Sequence, residues 1–191
     1  MKRYSLILAG LLAAILFTAC NNDEEFRIHG RVTSNELEGI RVFLVPIGHE
    51  EPENVDSLEI HNHEFSFKGT EHRMCEIRLH KLYRDKGQNL LVVTEPGDIY
   101  VTIGPNSTGG GTPLNDSLQV WKDLTIENSM QYGELMNAGQ VEEARAARAA
   151  YRQRTQQMAL NLGGEDNMVG EFLLKLYPIP EEERASLQTN E

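Results

Sequence analysis

The chain contains two cysteines, and a thiol can be alkylated, oxidised or bound to a metal. Cys20 directly follows Thr18 and Ala19, two small residues that suit a peptidase holding the chain in an extended form. Cys75 lies in an alternating apolar stretch, where a free cysteine behaves as a small buried hydrophobe. No Cys-x-x-Cys pair occurs, so the sequence predicts a modified thiol at residue 20 and no thiol redox site.

The residues before Cys20 form an export signal. Lys2 and Arg3 precede the uncharged segment 6–17, whose length fits the core of a signal peptide, about 7–15 residues. It is shorter than the ~20 residues that span a bilayer. Phe17-Thr18-Ala19-Cys20 resembles a relaxed bacterial lipobox, in which the cysteine is alkylated with diacylglycerol and becomes the new N-terminus. We therefore predict a signal peptide over 1–19 and an outer membrane lipoprotein anchored at Cys20. The alternative is an ordinary secreted protein with a coincidental cysteine.

Acidic residues follow the predicted anchor. Residues 20–25 end in Asp23-Glu24-Glu25, which resembles the signal that sends Bacteroidota lipoproteins to the cell surface. The alternative is a solvated acidic linker, which leaves the protein facing the periplasm. The net charge of -11 repels nucleic acid phosphates, so we expect no nucleic acid partner. The expected partners are the membrane, through lipid on Cys20, and a protein of the envelope.

Two histidines and two serines are candidates for further chemistry. His61 and His63 would face one side if the strand geometry persisted, and such a pair can hold Zn or Cu. They flank an expected turn and lack a third ligand, so we predict no metal and no cofactor, with a metal or glycan site as a minor alternative. Asp56-Ser57-Leu58 and Asp116-Ser117-Leu118 resemble the triplet that Bacteroidota O-glycosylate, which makes Ser57 and Ser117 possible glycosylation sites. The aspartates also suit a turn and a helix cap.

Catalytic motifs are absent from the sequence. The glycines at 109–111 are not followed by Lys-Ser/Thr, as a phosphate-binding loop requires. Gly-x-Ser-x-Gly and His-Glu-x-x-His do not occur either. The sequence therefore predicts no catalytic residues and a protein that is not an enzyme.

The predicted secondary structure that positions these residues changes from strands to helices along the chain. Residues 26–104 read as short strands in an antiparallel sandwich-like domain, with Phe65 and Phe67 pointing inward from a hairpin around 62–64. Residues 105–114 are expected to form a glycine-rich loop. Residues 115–177 have helical spacing, with Asp116 as a cap and Trp121 joining helix to sheet, and 178–191 form a tail. The fold class is mainly β with C-terminal helices, an α+β arrangement.

Several of these residues together are similar to a known family. They are the alternating start at 26–32, Val55-Asp56-Ser57, Phe65-x-Phe67-x-Gly69, the Glu95-Pro96-Gly97 turn and Gly111-Thr112-x-x-Asn115. In this order they resemble the domain of unknown function at the N-terminus of Bacteroidota thiol–disulfide oxidoreductase lipoproteins. In that family a thioredoxin-like domain with a Cys-x-x-Cys follows, and the residues that would carry its chemistry are absent here.

Two functions are therefore expected. The first is a non-enzymatic, membrane-anchored lipoprotein that binds or scaffolds a partner in the envelope. The second, which the resemblance implies, is an accessory domain for a separately encoded thioredoxin-like oxidoreductase.

Overall fold

The computed structural model describes residues 24–180. The predicted signal peptide, Cys20, most of the acidic linker and residues 181–191 of the predicted tail lie outside the described residues.

Within the described residues the chain forms two four-stranded sheets followed by three α-helices. The first sheet has the order β4-β1-β7-β8 and the second the order β3-β2-β5-β6. The strands are β1 (Phe26–Val32), β2 (Arg41–Pro46), β3 (Asp56–Glu59), β4 (Glu64–Gly69), β5 (Met74–Leu79), β6 (Leu90–Val93), β7 (Gly97–Ile103) and β8 (Thr108–Gly110). The helices are α1 (Pro113–Asn137), α2 (Val141–Asn161) and α3 (Met168–Leu176).

The two sheets pack face to face, and alternation along their strands supplies the core. Ile28, Val42, Ile77, Val92 and Ile99 are at most 1% exposed and lie in one cluster between the sheets. Phe65 and Phe67 join that cluster, as predicted. About 43% of the described residues are helical and 28% are in strands, which confirms the α+β class.

The first sheet is mixed and not wholly antiparallel as predicted. β1 pairs antiparallel with β4 but parallel with β7, from Phe26 opposite Gly97 to Val32 opposite Ile103. The chain crosses from the second sheet to the first between β6 and β7, so the two strands that flank Glu95 and Pro96 are not hairpin partners. This crossing allows β7 to enter beside β1 in the same direction.

The predicted hairpin around residues 62–64 is also wrong, because β3 and β4 belong to different sheets. A two-residue turn is present, with both backbone hydrogen bonds between His61 and Glu64 at 3.0 Å and positive φ at Asn62 and His63. The Glu38 carboxylate accepts hydrogen bonds from the N–H groups of both turn residues, at 2.8 and 2.9 Å. These bonds lower the pKa of Glu38. The turn therefore forms a corner at which the chain passes from one sheet to the other.

The segment predicted as a glycine-rich loop contains β8, the edge strand of the first sheet. Gly110 allows α1 to approach closely, because a Cβ at this position would lie 2.7 Å from Asp116 Oδ1. The Gly109 N–H donates to Gln119 Oε1 of the same helix at 2.9 Å. Gly111 then turns the chain into α1 with a φ of 103°.

The start of α1 docks on the exposed edge of the second sheet. Asn115 is 2% exposed and lies beside β6, with its Oδ1 2.9 Å from Val93 N and its Nδ2 2.8 Å from Val93 O. Its side-chain amide thus forms the two backbone hydrogen bonds with Val93 that a neighbouring strand would otherwise form. Glu95 Oε1 accepts from Leu114 N at 2.7 Å, and the N-cap position is Thr112 rather than the predicted Asp116. Asp116 instead accepts a hydrogen bond from Gly111 N at 2.8 Å.

A second cluster joins the helices to the outer side of the second sheet. Val93, Leu118 and Val169 are buried in it, and Trp121 packs against it with its ring edge-to-face on Phe172. The predicted role of Trp121 as an anchor between helix and sheet is confirmed. Ile179 is 4% exposed in the same cluster, so the predicted tail begins as packed chain.

The hairpin of α1 and α2 extends past the sandwich. Gly111 lies against Asp98, where β7 begins, and Lys122 donates to the carbonyl of Ser107, just past the end of β7. α1 therefore runs the length of the sheet by residue 122. The remaining residues, about 15 at 1.5 Å each, carry it roughly 22 Å further. Met130 on this extension is 64% exposed.

Cys75 lies on the inner face of β5, as predicted, and is 1% exposed. Burial raises the pKa of its thiol to about 11. Because the thiolate is the reactive form, we expect no reaction of Cys75 with an aromatic disulfide reagent at pH 8 in the folded protein. One thiol per chain should react after denaturation if Cys20 carries lipid. Stoichiometric reaction of Cys75 before unfolding would contradict this placement.

Candidate binding face on the first sheet

The outward side of the first sheet is uncovered, whereas helices pack on the outward side of the second, where Met74, Leu91 and Val93 contact them. We call this uncovered surface the open face. Its side chains are Arg27, His29, Arg31, Glu64, Ser66, Lys68, Asp98, Tyr100, Thr102 and Thr108.

Strand register arranges these side chains in three rows across the sheet. The middle row contains Ser66, His29 and Tyr100, which occupy paired positions on β4, β1 and β7. Tyr100 pairs in turn with Gly110 of β8, where Asp116 of α1 borders the end of the row. One outer row contains Lys68, Arg27 and Asp98, and the other contains Glu64, Arg31, Thr102 and Thr108. Alternate residues on a strand lie about 6.6 Å apart, which sets the spacing of the rows.

An aromatic pair occupies the centre of the open face. The rings of His29 and Tyr100 stack with centroids 5.1 Å apart and an angle of 20° between their planes. Tyr100 is nevertheless 60% exposed. The surrounding depression has a volume of about 720 Å³. This volume lies within the range of about 300–1,000 Å³ that is usual for small-ligand sites.

The floor beneath the aromatic pair is held by a core contact. Gly30 lies between His29 and Arg31 on β1 and faces inward, where the Phe65 ring from the paired strand covers it. A Cβ at residue 30 would lie 2.1 Å from that ring, so a larger residue would displace Phe65. The absence of a side chain at Gly30 therefore leaves room for the Phe65 ring of β4 to pack over β1 in the core.

Asp98 fixes the orientation of the histidine. Its Oδ1 lies 2.8 Å from His29 Nε2 and 3.6 Å from Arg27 Nη1. The hydrogen bond from His29, followed by the charge of Arg27, lowers the pKa of Asp98. The carboxylate is therefore ionised at neutral pH and holds the His29 ring in place beside Tyr100.

We expect the Asp98 carboxyl to titrate below its ordinary value of about 3.9 in ¹³C NMR. A folded-state pKa below the unfolded one means that ionised Asp98 stabilises the fold at neutral pH. That contribution is lost as pH falls through the folded pKa. His29→Gln should move the midpoint upward, and His49→Gln should leave it unchanged. A wild-type midpoint at the ordinary value would contradict the His29–Asp98 contact.

Charges on the open face nearly balance. Arg27, Arg31 and Lys68 face Glu64 and Asp98, and Arg31 lies 3.7 Å from Glu64 at the rim. This balance differs from the charge of the chain as a whole, which is -11. The open face is thus a nearly neutral, hydrogen-bonding surface on a strongly acidic protein.

A smaller cleft of about 220 Å³ lies between α1 and the neighbouring sheet edges. Leu90, Leu91, Leu118 and Trp121 supply its apolar lining, and Lys122 lies at its side. Burial lowers the pKa of Lys122, whose ammonium is held by the carbonyl of Ser107. The cleft therefore has its cation already engaged.

The predicted modification residues lie apart from the open face. Ser57 is exposed on β3, the edge strand of the second sheet, and its hydroxyl accepts a hydrogen bond from Arg41 at 3.1 Å. Ser117 is half-buried in the first turn of α1, and its hydroxyl donates to Pro113 O at 2.8 Å. Cys20 lies outside the described residues.

The two histidines considered as metal ligands do not share a strand face. The turn directs them to different carboxylates, with His61 3.8 Å from Glu59 and His63 3.8 Å from Glu38. Across residues 24–180 no group of three or more His, Cys, Asp or Glu side chains is placed to hold a metal ion.

The central residues of the open face were missed by sequence reasoning. Alternation along β1 indicated that His29 points outward, but Tyr100 is a neighbour only because β7 pairs parallel with β1. A search for outward aromatic residues on every predicted strand would have found Tyr100.

In the described part of the chain no helix has both the length and the apolar character needed to cross a membrane. The profile of a domain of unknown function, DUF4369, matches residues 26–118. The match covers the whole sandwich and the first six residues of α1, and it supports the presence of an uncharacterised domain in this part of the chain. No curated protein and no solved structure matches the chain.

Proposed function

We propose that the protein is a non-enzymatic lipoprotein, held at the outer membrane by lipid on Cys20, and that its sandwich binds a ligand or scaffolds a partner in the envelope. The observation that carries the binding role is the open face, an uncovered sheet surface that contains a depression of about 720 Å³ and a stacked aromatic pair at its centre. The order of positive charge, apolar segment and cysteine in residues 1–20 supports the anchor.

The anchor would place one end of the sandwich near the membrane. The few residues between Cys20 and Phe26 can span at most about 20 Å when extended. β1 begins at the same end of the sandwich as β7 and α1, so the α1–α2 hairpin points away from this end. The open face would then lie at an angle to the membrane surface, and a ligand could reach its rows of side chains from the side.

Metabolic labelling with a radioactive fatty acid tests the anchor. We expect the label in the full chain, and its absence would refute the lipoprotein proposal. Proteinase treatment of intact cells, read by mass spectrometry, then distinguishes the cell surface from the periplasm-facing side.

The helical hairpin favours a second candidate function, an accessory role for a separately encoded thioredoxin-like oxidoreductase. Beyond the sandwich, exposed Met130 and Met136 lie on α1, and Arg145, Arg148 and Arg152 recur on one side of α2. Apolar side chains and arginines together are typical of protein interfaces. The association with oxidoreductase lipoproteins that the sequence resembles stays a prediction.

A photo-cross-linking residue tests that role directly. Placed at Met130, it should capture a partner that contains Cys-x-x-Cys. The same residue at exposed Leu82, on the sandwich, serves as the matched control. Equal capture at both positions, or none at Met130, would count against the accessory role.

We also expect glycosylation, where it occurs, at Ser57 rather than Ser117. A transferase needs an accessible hydroxyl, and Ser57 lies exposed on an edge strand while Ser117 is half-buried in a helix. The intact mass of the native protein should show a sugar increment that Ser57→Ala removes and Ser117→Ala keeps. An unmodified native mass would eliminate both sites.

A further inference from the structure

We propose that the open face binds a neutral carbohydrate chain, with Tyr100 as the stacking platform. This assignment rests on the proposed binding function and names the chemical class of its ligand. It follows from the side chains of the open face, from their charge balance and from the shape of the depression.

The charge balance argues against an ionic ligand. An anion such as a phosphate or an acidic peptide would need an excess of cations, and the depression is lined by one guanidinium, Arg31, which lies 3.7 Å from one carboxylate, Glu64. A cationic ligand would be repelled by Arg31. A neutral ligand avoids both costs.

The side chains also argue against an apolar ligand. A lipid or a hydrophobic peptide needs apolar pockets for its anchors, because burial of hydrocarbon drives such binding. None of the ten open-face side chains is an aliphatic hydrocarbon, and its aromatic centre carries a phenol and an imidazole. The surface therefore suits a ligand that has both C–H faces and many hydroxyls.

A sugar ring matches this surface. Its C–H face packs on an aromatic ring, and Tyr100 offers 60% of its surface. The other side chains that line the depression provide an acceptor at Glu64, a donor at Arg31, and hydroxyls at Ser66, Thr102 and Thr108 that can do both. Carboxylate and guanidinium groups can each bind two adjacent hydroxyls, since both are planar with paired polar atoms.

The size of the depression suits a chain of sugars rather than a single one. Four strands spaced about 4.8 Å apart give a surface roughly 15 Å wide. The depression is open at the β4 edge of the sheet, and beside Gly110 it is bordered by Asp116 of α1, so a longer polymer can run past the β4 edge. The ligand class is therefore an oligosaccharide or a segment of a polysaccharide.

Contacts within the protein hold the platform in place. His29 stacks on Tyr100 and is itself held by Asp98 at 2.8 Å. Fixing a ring in advance reduces the entropy lost on binding, which favours affinity for a weakly interacting ligand such as a neutral sugar.

Affinity electrophoresis of the full lipidated chain in detergent tests the proposal. The probes are soluble neutral polysaccharides cast in native gels: α- and β-linked glucans, a xylan, a mannan and a galactan. We expect at least one to retard the wild-type chain. Tyr100→Ala should weaken that retardation at least tenfold, and Tyr100→Phe should retain most of it.

Leu82→Ala is the matched control, because Leu82 is 73% exposed and lies away from the open face. It should be retarded like the wild type. Tyr100→Ala should keep the wild-type melting temperature, so a loss of retardation would not reflect unfolding.

Absence of retardation in every gel, or equal retardation of the wild type and Tyr100→Ala, would overturn the carbohydrate assignment. Either result leaves the fatty-acid label untouched, so the ligand proposal and the lipoprotein proposal can fail separately. Capture of a protein by a photo-cross-linker at Tyr100, without retardation, would assign the open face to a protein partner instead.

Discussion

Replacing Asn115 by alanine is expected to lower the free energy of unfolding by about 3 kcal/mol. The side-chain amide satisfies both backbone groups of Val93, at 2.9 and 2.8 Å, and donates to Thr112 Oγ1 at 2.8 Å. Truncation leaves the N–H and the C=O of Val93 without partners under a helix. A buried polar group left unpaired costs about 1–3 kcal/mol, and two are exposed to that cost here.

Urea unfolding followed by Trp121 fluorescence measures this effect, since Trp121 is the single tryptophan and lies on the same helix. Asn137→Ala, at the exposed end of α1, is the matched control and should change stability by less than about 0.5 kcal/mol. A loss below about 1 kcal/mol for Asn115→Ala would mean that the edge of β6 does not depend on the amide.

Replacing Cys20 by alanine is expected to move the protein from the membrane pellet to the soluble fraction. Each buried acyl CH₂ contributes about 0.8 kcal/mol, so two or three acyl chains hold a protein essentially permanently. Removing the thiol removes all of them at once. Fractionation after a carbonate wash, read by immunoblot, measures the change.

Cys75→Ala is the control for that experiment, because Cys75 is buried in the core and far from the proposed anchor in the chain. It should stay in the membrane pellet. If Cys20→Ala stayed there too, attachment by lipid on Cys20 would be refuted.

Much of the fold was predictable where one local pattern decided the outcome. The alternation at 26–32 gives β1, and Asn167 caps α3 through hydrogen bonds from Val169 N and Gly170 N. Cys75 is buried because its strand alternates. These features depend on neighbours two to four residues away, which sequence periodicity captures.

The errors arose where the structure depends on contacts between segments that are distant in the sequence. Asn62 and His63 do form a turn, but whether its flanking strands pair depends on which sheet each joins. The glycines at 109–111 suggested a loop because glycine is permissive, yet Gly109 and Gly110 belong to β8, and Gly110 leaves the room that Asp116 of α1 occupies. The local sequence was right about the turn at residues 62–63 and wrong about the backbone of β8, and in neither place did it indicate which element would lie beside the segment.

The candidate site was missed for the same reason. Tyr100 and His29 form a pair only through the parallel register of β1 and β7. Residues proposed from the sequence alone, such as His61 and His63, were chosen because they are adjacent in the chain. A binding surface on a sheet is assembled across strands, so adjacency in sequence does not reveal it.

The parallel pairing of β1 with β7 also constrains how the protein folds. β1 leads the described chain, and its partner β7 follows about 70 residues later, a separation that slows folding. If the chain is exported as proposed, the apolar side of β1 would stay exposed until most of the sandwich had emerged from the export channel. During that interval β1 would be open to misassociation, and a periplasmic chaperone that holds extended apolar segments would protect it.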